Sequence, residues 1–333
     1  MTSTVVVRAP NWLGDTVMAM PALVALRAAH ADARIVVVGR WAEVLRGQAV
    51  ADVLVAYPRD GARRRRVARA LAADPADVAI VLAGSFEAAL AARRWRARRR
   101  IGFDTDARGA LLTEALPLPA PRPHQVDEYR ALVQALGVHA EDSRPALTPV
   151  HDAAAEAEVA ALLVAAGLPT GARAVGLHIG ASGGPAKLWP ADRFARVADG
   201  LARSGLRVLV LGAPEDAARA ASVGSAAATK PVSLVGRDRP ALLPHLLARL
   251  ACLVSGDTGV AHLAAALGVP TVTLFGPTDP RLSAPRGRAA SRVLTGPAPC
   301  APCFRSTCPI EHVCMRAIDA DAVAASARAI VPA

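Results

Sequence analysis

The sequence is poor in aromatic residues and contains no long apolar run. Phe, Trp and Tyr make up only 3% of the 333 residues, and binding single-stranded nucleic acid by base stacking needs aromatic side chains. No helix-turn-helix or zinc-finger pattern is present. No uninterrupted apolar stretch is long enough to span a bilayer, and the N-terminus MTSTVVVRAPNW lacks the features of a signal peptide. These absences predict a cytoplasmic protein.

Several nucleotide-binding and metal-binding motifs are also missing. No G-x-G-x-x-G follows the first apolar run and no G-x-x-x-x-G-K-[ST] occurs, which disfavours a dehydrogenase and a P-loop enzyme. No clear D-x-D metal motif is present either. The composition, 53% hydrophobic and 20% charged, is that of a globular protein, and the length is sufficient for two domains with their own cores.

The net charge of +11 is unevenly distributed. Arginines form two blocks with few acidic residues between them, namely Arg59, Arg63, Arg64, Arg65, Arg66 and Arg69, and Arg93, Arg94, Arg96, Arg98, Arg99 and Arg100. The blocks are either solvated helix faces or a surface for an anionic partner such as nucleic acid, an acidic membrane or a phosphorylated or carboxylated substrate. We favour a polyanionic, membrane-bound partner over nucleic acid.

Short apolar segments alternate with helical patterns in both halves of the chain. The predicted strands are 4–8, 34–38, 78–83, 174–179, 207–211, 232–235, 252–255 and 271–275, and the predicted helices include 16–29, 151–166, 191–204, 215–227, 240–250 and 259–267. This alternation predicts an α/β fold with parallel sheets covered by helices on both faces. We expect two doubly wound domains, 1–165 and 166–333, with ligands outside the carboxyl ends of the strands, in the cleft between the domains.

Two segments of the second half have the features of a phosphate site. HIGASGGPAKLWP (178–190) is a strand followed by a glycine-rich loop, where backbone amides and Lys187 would meet a phosphate. In VSGDTGVAHLAAALGVPTVTLFGPTDP (254–280), Thr258 and His262 are four residues apart and share a helix face next to the helix N-terminus. The alternatives are a tight turn, a capping Asp257 and a histidine satisfied within the helix.

Two further carboxylates follow predicted strands. In LVLGAPED (209–216), Glu215 lies at a helix start, where it would cap the helix or accept hydrogen bonds from ribose hydroxyls. In VVVRAPNWLGDTV (5–17), Asp15 also lies at a helix start. There it would be either an ordinary helix cap or a catalytic base placed by a strand-to-helix loop.

Four of the five cysteines fall in one segment, CAPCFRSTCPIEHVC. Cys300, Cys303, Cys308 and Cys314 have the spacing C-x2-C-x4-C-x5-C, with His312 between the last two. This density is compatible with a zinc or iron–sulfur site, although the spacing is shorter than that of paired zinc knuckles. The alternative is reduced cysteines in a compact loop. Cys252 lies in a predicted strand and is expected in the core.

The motifs NWLGDTVMAMPAL, GPAKLWP and SGDTGVAHLAAALGVPTVTLFGPT together resemble glycosyltransferase family 9, the lipopolysaccharide heptosyltransferases. GSFEAAL (84–90), RIGFDTDARGALLT (100–113) and HQVDEYRAL (124–132) are most similar to the heptosyltransferase II group. The resemblance implies a GT-B fold of two Rossmann-like domains with the active site between them. It implies that 1–165 binds the acceptor, the heptose–Kdo–lipid A inner core, and that 166–333 binds the donor, ADP-heptose.

The resemblance also implies the site residues and an inverting mechanism. It maps the catalytic base onto Asp15, which would deprotonate the acceptor hydroxyl as this attacks the anomeric carbon. Lys187, Thr258, Gly259 and His262 would bind the donor diphosphate, and Glu215 and Asp257 the nucleotide. No cofactor or metal is required in this scheme, and the cysteines have no catalytic role. Arg63, Arg64 and Arg66 are candidates for binding the acidic acceptor, at the cytoplasmic face of the inner membrane.

Other functions remain open from the sequence. Heptosyltransferase I, or another family 9 enzyme with a different sugar or acceptor, would share these motifs. A nucleotide-sugar 2-epimerase shares the two-domain fold but needs carboxylates for proton removal at C2, and no credible set can be assigned here. A basic nucleic-acid-binding protein is the remaining alternative, disfavoured by the lack of a base-reading motif. The sequence does not fix the oligomeric state.

Overall fold

The computed structural model describes residues 3–139, 141, 144–168, 172, 174–237 and 239–332. The chain divides into two units, Met1–Thr148 and Pro149–Ala333. Each unit is built on a parallel six-stranded sheet within the described residues. The predicted α/β class with two doubly wound sheets is therefore confirmed.

The division between the units lies earlier than the boundary predicted after residue 165. The helix Ala153–Ala165 lies in the second unit. There its Glu158 forms an ion pair with Arg239, and the helix contacts the later helix Leu243–Leu247. The GLPTGAR segment on which the predicted boundary rested lies largely outside the described residues.

The sheet of the first unit has the strand order β3-β2-β1-β4-β5-β6. Its strands are β1 (Thr4–Arg8), β2 (Arg34–Gly39), β3 (Val53–Ala56), β4 (Val78–Val81), β5 (Arg99–Phe103) and β6 (Glu114–Leu116), and its helices are α1 (Leu13–Met18), α2 (Met20–Ala29), α3 (Gly61–Ala73), α4 (Phe86–Arg94) and α5 (Gln125–Gln134). The chain runs outward from β1 to β3 and then returns to pair β4 with β1. This reversal makes the carboxyl ends of β1 and β4 the expected ligand edge.

The predicted helix 16–29 is two helices, α1 and α2, which meet at Ala19. Pro21 lies in the first turn of α2. Because proline has no N–H, it cannot continue the hydrogen-bond ladder of α1, but it is well suited to the start of a new helix.

The sheet of the second unit has the order β12-β11-β10-β7-β8-β9. Its strands are β7 (Ala174–His178), β8 (Arg207–Leu211), β9 (Val232–Ser233), β10 (Leu250–Gly256), β11 (Thr271–Phe275) and β12 (Ser291–Thr295), and its helices are α6 (Ala153–Ala165), α7 (Ala191–Ala202), α8 (Ala217–Ala226), α9 (Leu243–Leu247), α10 (Gly259–Ala266), α11 (Pro280–Ser283), α12 (Val313–Arg316) and α13 (Ala320–Ile330). Here the order reverses between β7 and β10, which pair in parallel. The carboxyl ends of these two strands are therefore the ligand edge of this unit.

Each sheet is covered by apolar side chains that bury its strands. In the first unit Trp95 is buried and meets Tyr57 edge to face at 6.3 Å. In the second unit Trp189 and Phe194 are buried and form an edge-to-face pair at 4.9 Å. No helix in the described part of the chain is long and apolar enough to cross a membrane.

Candidate active-site residues

Lys187 and Asp257 come together at the ligand edge of the second unit. Lys187 ends a short 3-10 turn, Pro185–Lys187, in the loop after β7, and Asp257 follows β10 directly. The Lys187 ammonium nitrogen lies 2.6 Å from a carboxylate oxygen of Asp257 and 3.3 Å from its carbonyl oxygen. Two of the sequence-predicted donor residues are thus neighbours.

A third strand end contributes Thr278, which the sequence analysis did not select. Its hydroxyl donates to the Asp257 carboxylate at 2.8 Å. Asp257 therefore binds two side chains and does not cap α10, whose N-cap is Thr258 and which has no side-chain cap. The position of Thr278 after β11, next to the glycine and proline of FGPT, was the signal that could have identified it.

A buried polar chain lies behind Thr258. The hydroxyl oxygens of Thr258 and Ser255 are 3.0 Å apart, and the Ser255 oxygen lies 3.4 Å from Nδ1 of His178. Burial lowers the pKa of His178 to about 4, so the imidazole is neutral at neutral pH. Ser255 and His178 were missed, although both are polar residues at the ends of predicted apolar strands. The chain fixes the Thr258 hydroxyl at the start of α10.

Gly259 begins α10 and His262 lies buried within the same helix. The observed helix preserves the predicted spacing of Thr258 and His262 on one helix face. The assignment of these residues to the donor diphosphate stays a prediction.

Glu215 is exposed in a 3-10 turn, Pro214–Asp216, after β8. The next residue, Asp216, is half-buried, and its carboxylate accepts a hydrogen bond from the Ala213 amide at 3.0 Å. A Cβ atom at Gly180 would lie 2.3 Å from the same carboxylate, so Asp216 lies against the loop after β7. Burial raises the pKa of Asp216. Asp216 is thus the carboxylate at the strand ends, and the role of Glu215 stays a prediction.

Asp15 is the third residue of α1, after the N-cap Trp12, so it does not occupy the cap position. It is half-buried, and its charge acts on Tyr129 of α5 and on Arg122, which precedes this helix. Burial, and then the Asp15 charge, raise the pKa of Tyr129. The pKa of Arg122 is raised chiefly by its hydrogen bond to Glu128 and slightly by Asp15. The carboxylate thus has a basic side chain and a phenol as neighbours.

The predicted acceptor arginines lie at the ligand edge of the first unit, because α3 begins where β3 ends. Arg63 and Arg66 are exposed, and Arg63 lies 3.5 Å from Asp60. Arg64 is half-buried beside the Tyr57 ring, 5.2 Å from its centroid. The second arginine block begins at the end of α4, on the side of the sheet where the strands begin. The structure therefore separates the two blocks.

A buried arginine supports this edge and was not selected from the sequence. Arg8, the last residue of β1, is fully buried and stacks on Tyr57 at 4.1 Å. Tyr57 donates a 2.5 Å hydrogen bond to Glu87, which also lies within 4 Å of Arg8 and Arg64. Burial lowers the pKa of Arg8. The signal was an arginine inside an apolar strand, a residue that is rarely buried without partners.

Among the residues that the structure describes, no three His, Cys, Asp or Glu side chains form a group that could hold a metal ion. The zinc or iron–sulfur site was one of two alternatives for the cysteine segment, and the described residues show no such group there. Cys308 accepts a hydrogen bond from the His312 amide at 3.2 Å, and Cys314 is buried. Cys252 is fully buried in β10, as predicted, and burial raises its pKa to about 12.

The chain is similar to known glycosyltransferases. The family model of glycosyltransferase family 9 (heptosyltransferase) matches residues 64–314. The chain is 30% identical over 317 residues to lipopolysaccharide heptosyltransferase 2 of Salmonella typhimurium, covering 88% of each protein. The enzyme class is therefore that of a glycosyltransferase. The chain belongs to glycosyltransferase family 9, the heptosyltransferases.

Solved structures show the same fold. A family 9 glycosyltransferase from Veillonella parvula has a TM-score of 0.84 and 24% identity, with 99% of this chain and 97% of that chain covered. The ADP-heptose LPS heptosyltransferase II of E. coli has a TM-score of 0.79 and 24% identity, with 99% and 98% covered. The predicted GT-B fold class is confirmed.

Proposed function

We propose that this enzyme transfers a heptose from ADP-heptose to the heptose–Kdo–lipid A inner core, as heptosyltransferase II does. The observation that carries the proposal is the meeting of Lys187, Asp257 and Thr278 at the carboxyl ends of β7, β10 and β11. Asp257 holds the Lys187 ammonium beside the start of α10, which has no side-chain cap. Such a cation next to free helix amides suits a diphosphate. The similarity to heptosyltransferase 2 enzymes over 88% of the chain supports the choice of sugar and acceptor.

In the proposed reaction the donor diphosphate is the leaving group. Lys187 and the amides at the start of α10 stabilise the negative charge that develops on it as the glycosidic bond breaks. Thr258 and His262 contribute hydrogen bonds from the same helix, and Gly259 leaves room for close approach. The lysine and the helix supply the positive charge that a metal ion would otherwise provide, so the scheme requires no cofactor.

The nucleotide is assigned to carboxylates of the second unit. Glu215 is proposed to hold the ribose hydroxyls, with Asp216 beside it as the half-buried carboxylate at the strand ends. Asp257 acts by holding Lys187 in place.

Asp15 is proposed as the general base. It accepts the proton from the acceptor hydroxyl while that oxygen attacks the anomeric carbon on the face opposite the diphosphate, which inverts the configuration. Arg122 lies near Asp15 and forms an ion pair with Glu128 at 2.5 Å.

The acceptor is proposed to bind at the ligand edge of the first unit. Arg63 and Arg66 are exposed there, and Arg64 is held by the carbonyl oxygen of Pro58 at 2.9 Å. Guanidinium groups suit the carboxylate and phosphate groups of an acidic glycolipid. We propose that the enzyme works as a peripheral protein at the cytoplasmic face of the inner membrane, where such a glycolipid would be presented.

A panel of nucleotide-sugars tested against truncated lipopolysaccharide cores, with mass spectrometry of the products, tests the proposal. We expect one heptosyl group to be added from ADP-heptose to the core that already carries one heptose. Addition only to a core that ends in Kdo would identify a heptosyltransferase I activity instead. Transfer from a different nucleotide-sugar would overturn the assignment of ADP-heptose as the donor. Conversion of ADP-heptose without acceptor would indicate an epimerase.

A further inference from the structure

The segment that contains the four cysteines, residues 298–316, contacts the loop that carries Lys187. The amide of Ala186, the residue before Lys187, donates to the carbonyl oxygen of Ser306 at 2.9 Å. Gly184 has a φ of +114°, and a Cβ atom there would lie 2.4 Å from the same carbonyl oxygen. Only glycine lets the two backbones approach this closely.

The same segment contacts the loop that carries Thr278. The amide of Phe304 donates to the carbonyl oxygen of Pro277, the residue before Thr278, at 2.7 Å. At Gly276 a Cβ atom would lie 2.3 Å from the sulfur of Met315 and 3.0 Å from that of Cys314. The segment therefore meets this loop from two sides.

One end of the segment is anchored and the other is accessible. Cys314 and Met315 are buried in the core of the second unit. Cys300 is exposed, and Cys303 and Cys308 are half-buried. The two backbone hydrogen bonds, which join Phe304 and Ser306 to the loops that carry Thr278 and Lys187, lie between these ends.

We propose that the cysteine-rich segment positions the donor-binding side chains Lys187 and Thr278, with Ser306 and Phe304 as the positioning residues. The inference rests on the proposed donor site. Lys187 and Thr278 reach Asp257 from loops that follow different strands, and the segment bonds to the residue immediately before each of them. A shift of the segment thus changes the geometry at Asp257 from both sides.

The accessible thiols make donor affinity sensitive to their chemical state. Cys303 directly precedes Phe304, and Cys308 lies two residues after Ser306. The sulfur of Cys308 also accepts the His312 amide at 3.2 Å, and a substituent on the sulfur would disturb this bond. Any group added to these thiols therefore acts within two residues of a positioning hydrogen bond.

The first experiment compares Gly184→Ala with Gly205→Ala by titration calorimetry of ADP binding. Both glycines have a positive φ, but a Cβ atom at Gly205 meets nothing within 4 Å, so only Gly184→Ala pushes the segment away. We expect Gly184→Ala to weaken ADP binding by about tenfold, the effect of one lost hydrogen bond to a charged group, and Gly205→Ala to leave it within about twofold. Equal affinities in the two variants would overturn the proposal.

The second experiment leaves the backbone of the donor loops intact. Methyl methanethiosulfonate transfers its methylthio group to a cysteine thiolate, forming a mixed disulfide and releasing methanesulfinate, and dithiothreitol reverses the reaction. We expect modification of the accessible thiols, counted by mass, to weaken ADP binding several-fold and reduction to restore it. The variant in which Cys300, Cys303 and Cys308 are all replaced by Ser should be insensitive.

The outcomes separate the inference from the proposed function. If the unmodified wild-type protein does not bind ADP, the proposed donor site fails. If it binds ADP and full modification leaves the affinity unchanged, the positioning role fails, whether or not the melting temperature falls. A reversible loss of ADP affinity at an unchanged melting temperature supports positioning, since a purely structural role would lower both.

Discussion

The ammonium nitrogen of Lys187 lies 2.6 Å from a carboxylate oxygen of Asp257, and the two side chains are only 22% and 9% exposed. Because the pair is shielded from water, salt screens it weakly. The ammonium group has three N–H donors, and two of them point to the carboxylate and carbonyl oxygens of Asp257, which leaves one donor for a second anion. Asp257 thus holds the Lys187 ammonium in place before a diphosphate binds.

Replacing Lys187 by Ala should remove this cation. We expect the dissociation constant of ADP to rise about 10- to 100-fold, because a hydrogen bond to a charged group contributes roughly 1.5–3 kcal/mol. The matched control is Lys230→Ala, since the Lys230 ammonium binds carbonyl oxygens of Gly224 and Ser225 at the exposed end of α8. Calorimetry with ADP makes the comparison, and an equal loss in both variants would contradict a specific role.

Replacing Asp15 by Asn should abolish transfer and leave ADP binding nearly intact. The amide preserves the shape of the side chain but cannot accept the acceptor proton, and general-base catalysis contributes about 10²- to 10⁴-fold. Turnover is measured with ADP-heptose and a truncated core, and ADP binding by calorimetry. Asp152→Asn is the control, because Asp152 caps α6 and asparagine caps helices equally well. Normal turnover by the Asp15→Asn variant would remove Asp15 from the mechanism.

Local patterns in the sequence predicted eight of the twelve strands in the described part of the chain and missed β3, β5, β6 and β12. The bounds of β8 and β11 are those predicted, since each is a short apolar run between a helix pattern and a turn. The loops after β7 and β10 were also located correctly, because glycine-rich turns after strands are a local feature. The boundary between the units was harder to predict from the sequence, because the contact of α6 with α9 joins segments far apart in the chain.

The partners within the candidate site could not be predicted in the same way. The spacing identified Lys187 and Asp257 separately but not the ion pair between them, which spans 70 residues. Thr278, Ser255 and Asp216 were missed for the same reason, because each has a contact with a different strand end: Thr278 with Asp257, Ser255 with His178 and Asp216 with Gly180. The burial of Arg8 likewise depends on Tyr57, which comes from another strand end.

Replacing Arg63 and Arg66 together by Ala should weaken acceptor binding. Both side chains are exposed at the ligand edge of the first unit, so we expect the KM for the truncated core to rise about tenfold and the ADP affinity to stay unchanged. The control is Arg93→Ala with Arg94→Ala, which removes equal charge from the end of α4 at the opposite edge of the sheet. If both pairs raise KM equally, the arginines act through net charge alone. Rising ionic strength should reduce the difference between the two variants.

Replacing His178 by Asn should flatten the dependence of stability on pH in the acid range. Burial lowers the pKa of His178 from 6.5 to about 4, so between these values the unfolded chain binds a proton that the folded chain excludes. The free energy of unfolding therefore falls as the pH drops through this window, by on the order of 3 kcal/mol from this residue. Only well above pH 6.5 are both states neutral, and there the contribution is constant.

Urea unfolding of the wild-type protein and the His178→Asn variant at several pH values between 4.5 and 7.5 would measure this effect. This pH range covers most of the interval between the folded and unfolded pKa values of His178 and extends above it. We expect the wild-type protein to lose more stability than the variant between pH 6.5 and 4.5, while the two curves become parallel as the pH approaches 7.5. His151→Gln is the control, because the His151 ring is exposed with its Nδ1 2.9 Å from Glu156, and exposed contacts of this kind contribute less than about 1 kcal/mol. Parallel curves over the whole range would mean that the folded protein binds a proton at His178. The neutral imidazole in the polar chain behind Thr258 would then be wrong.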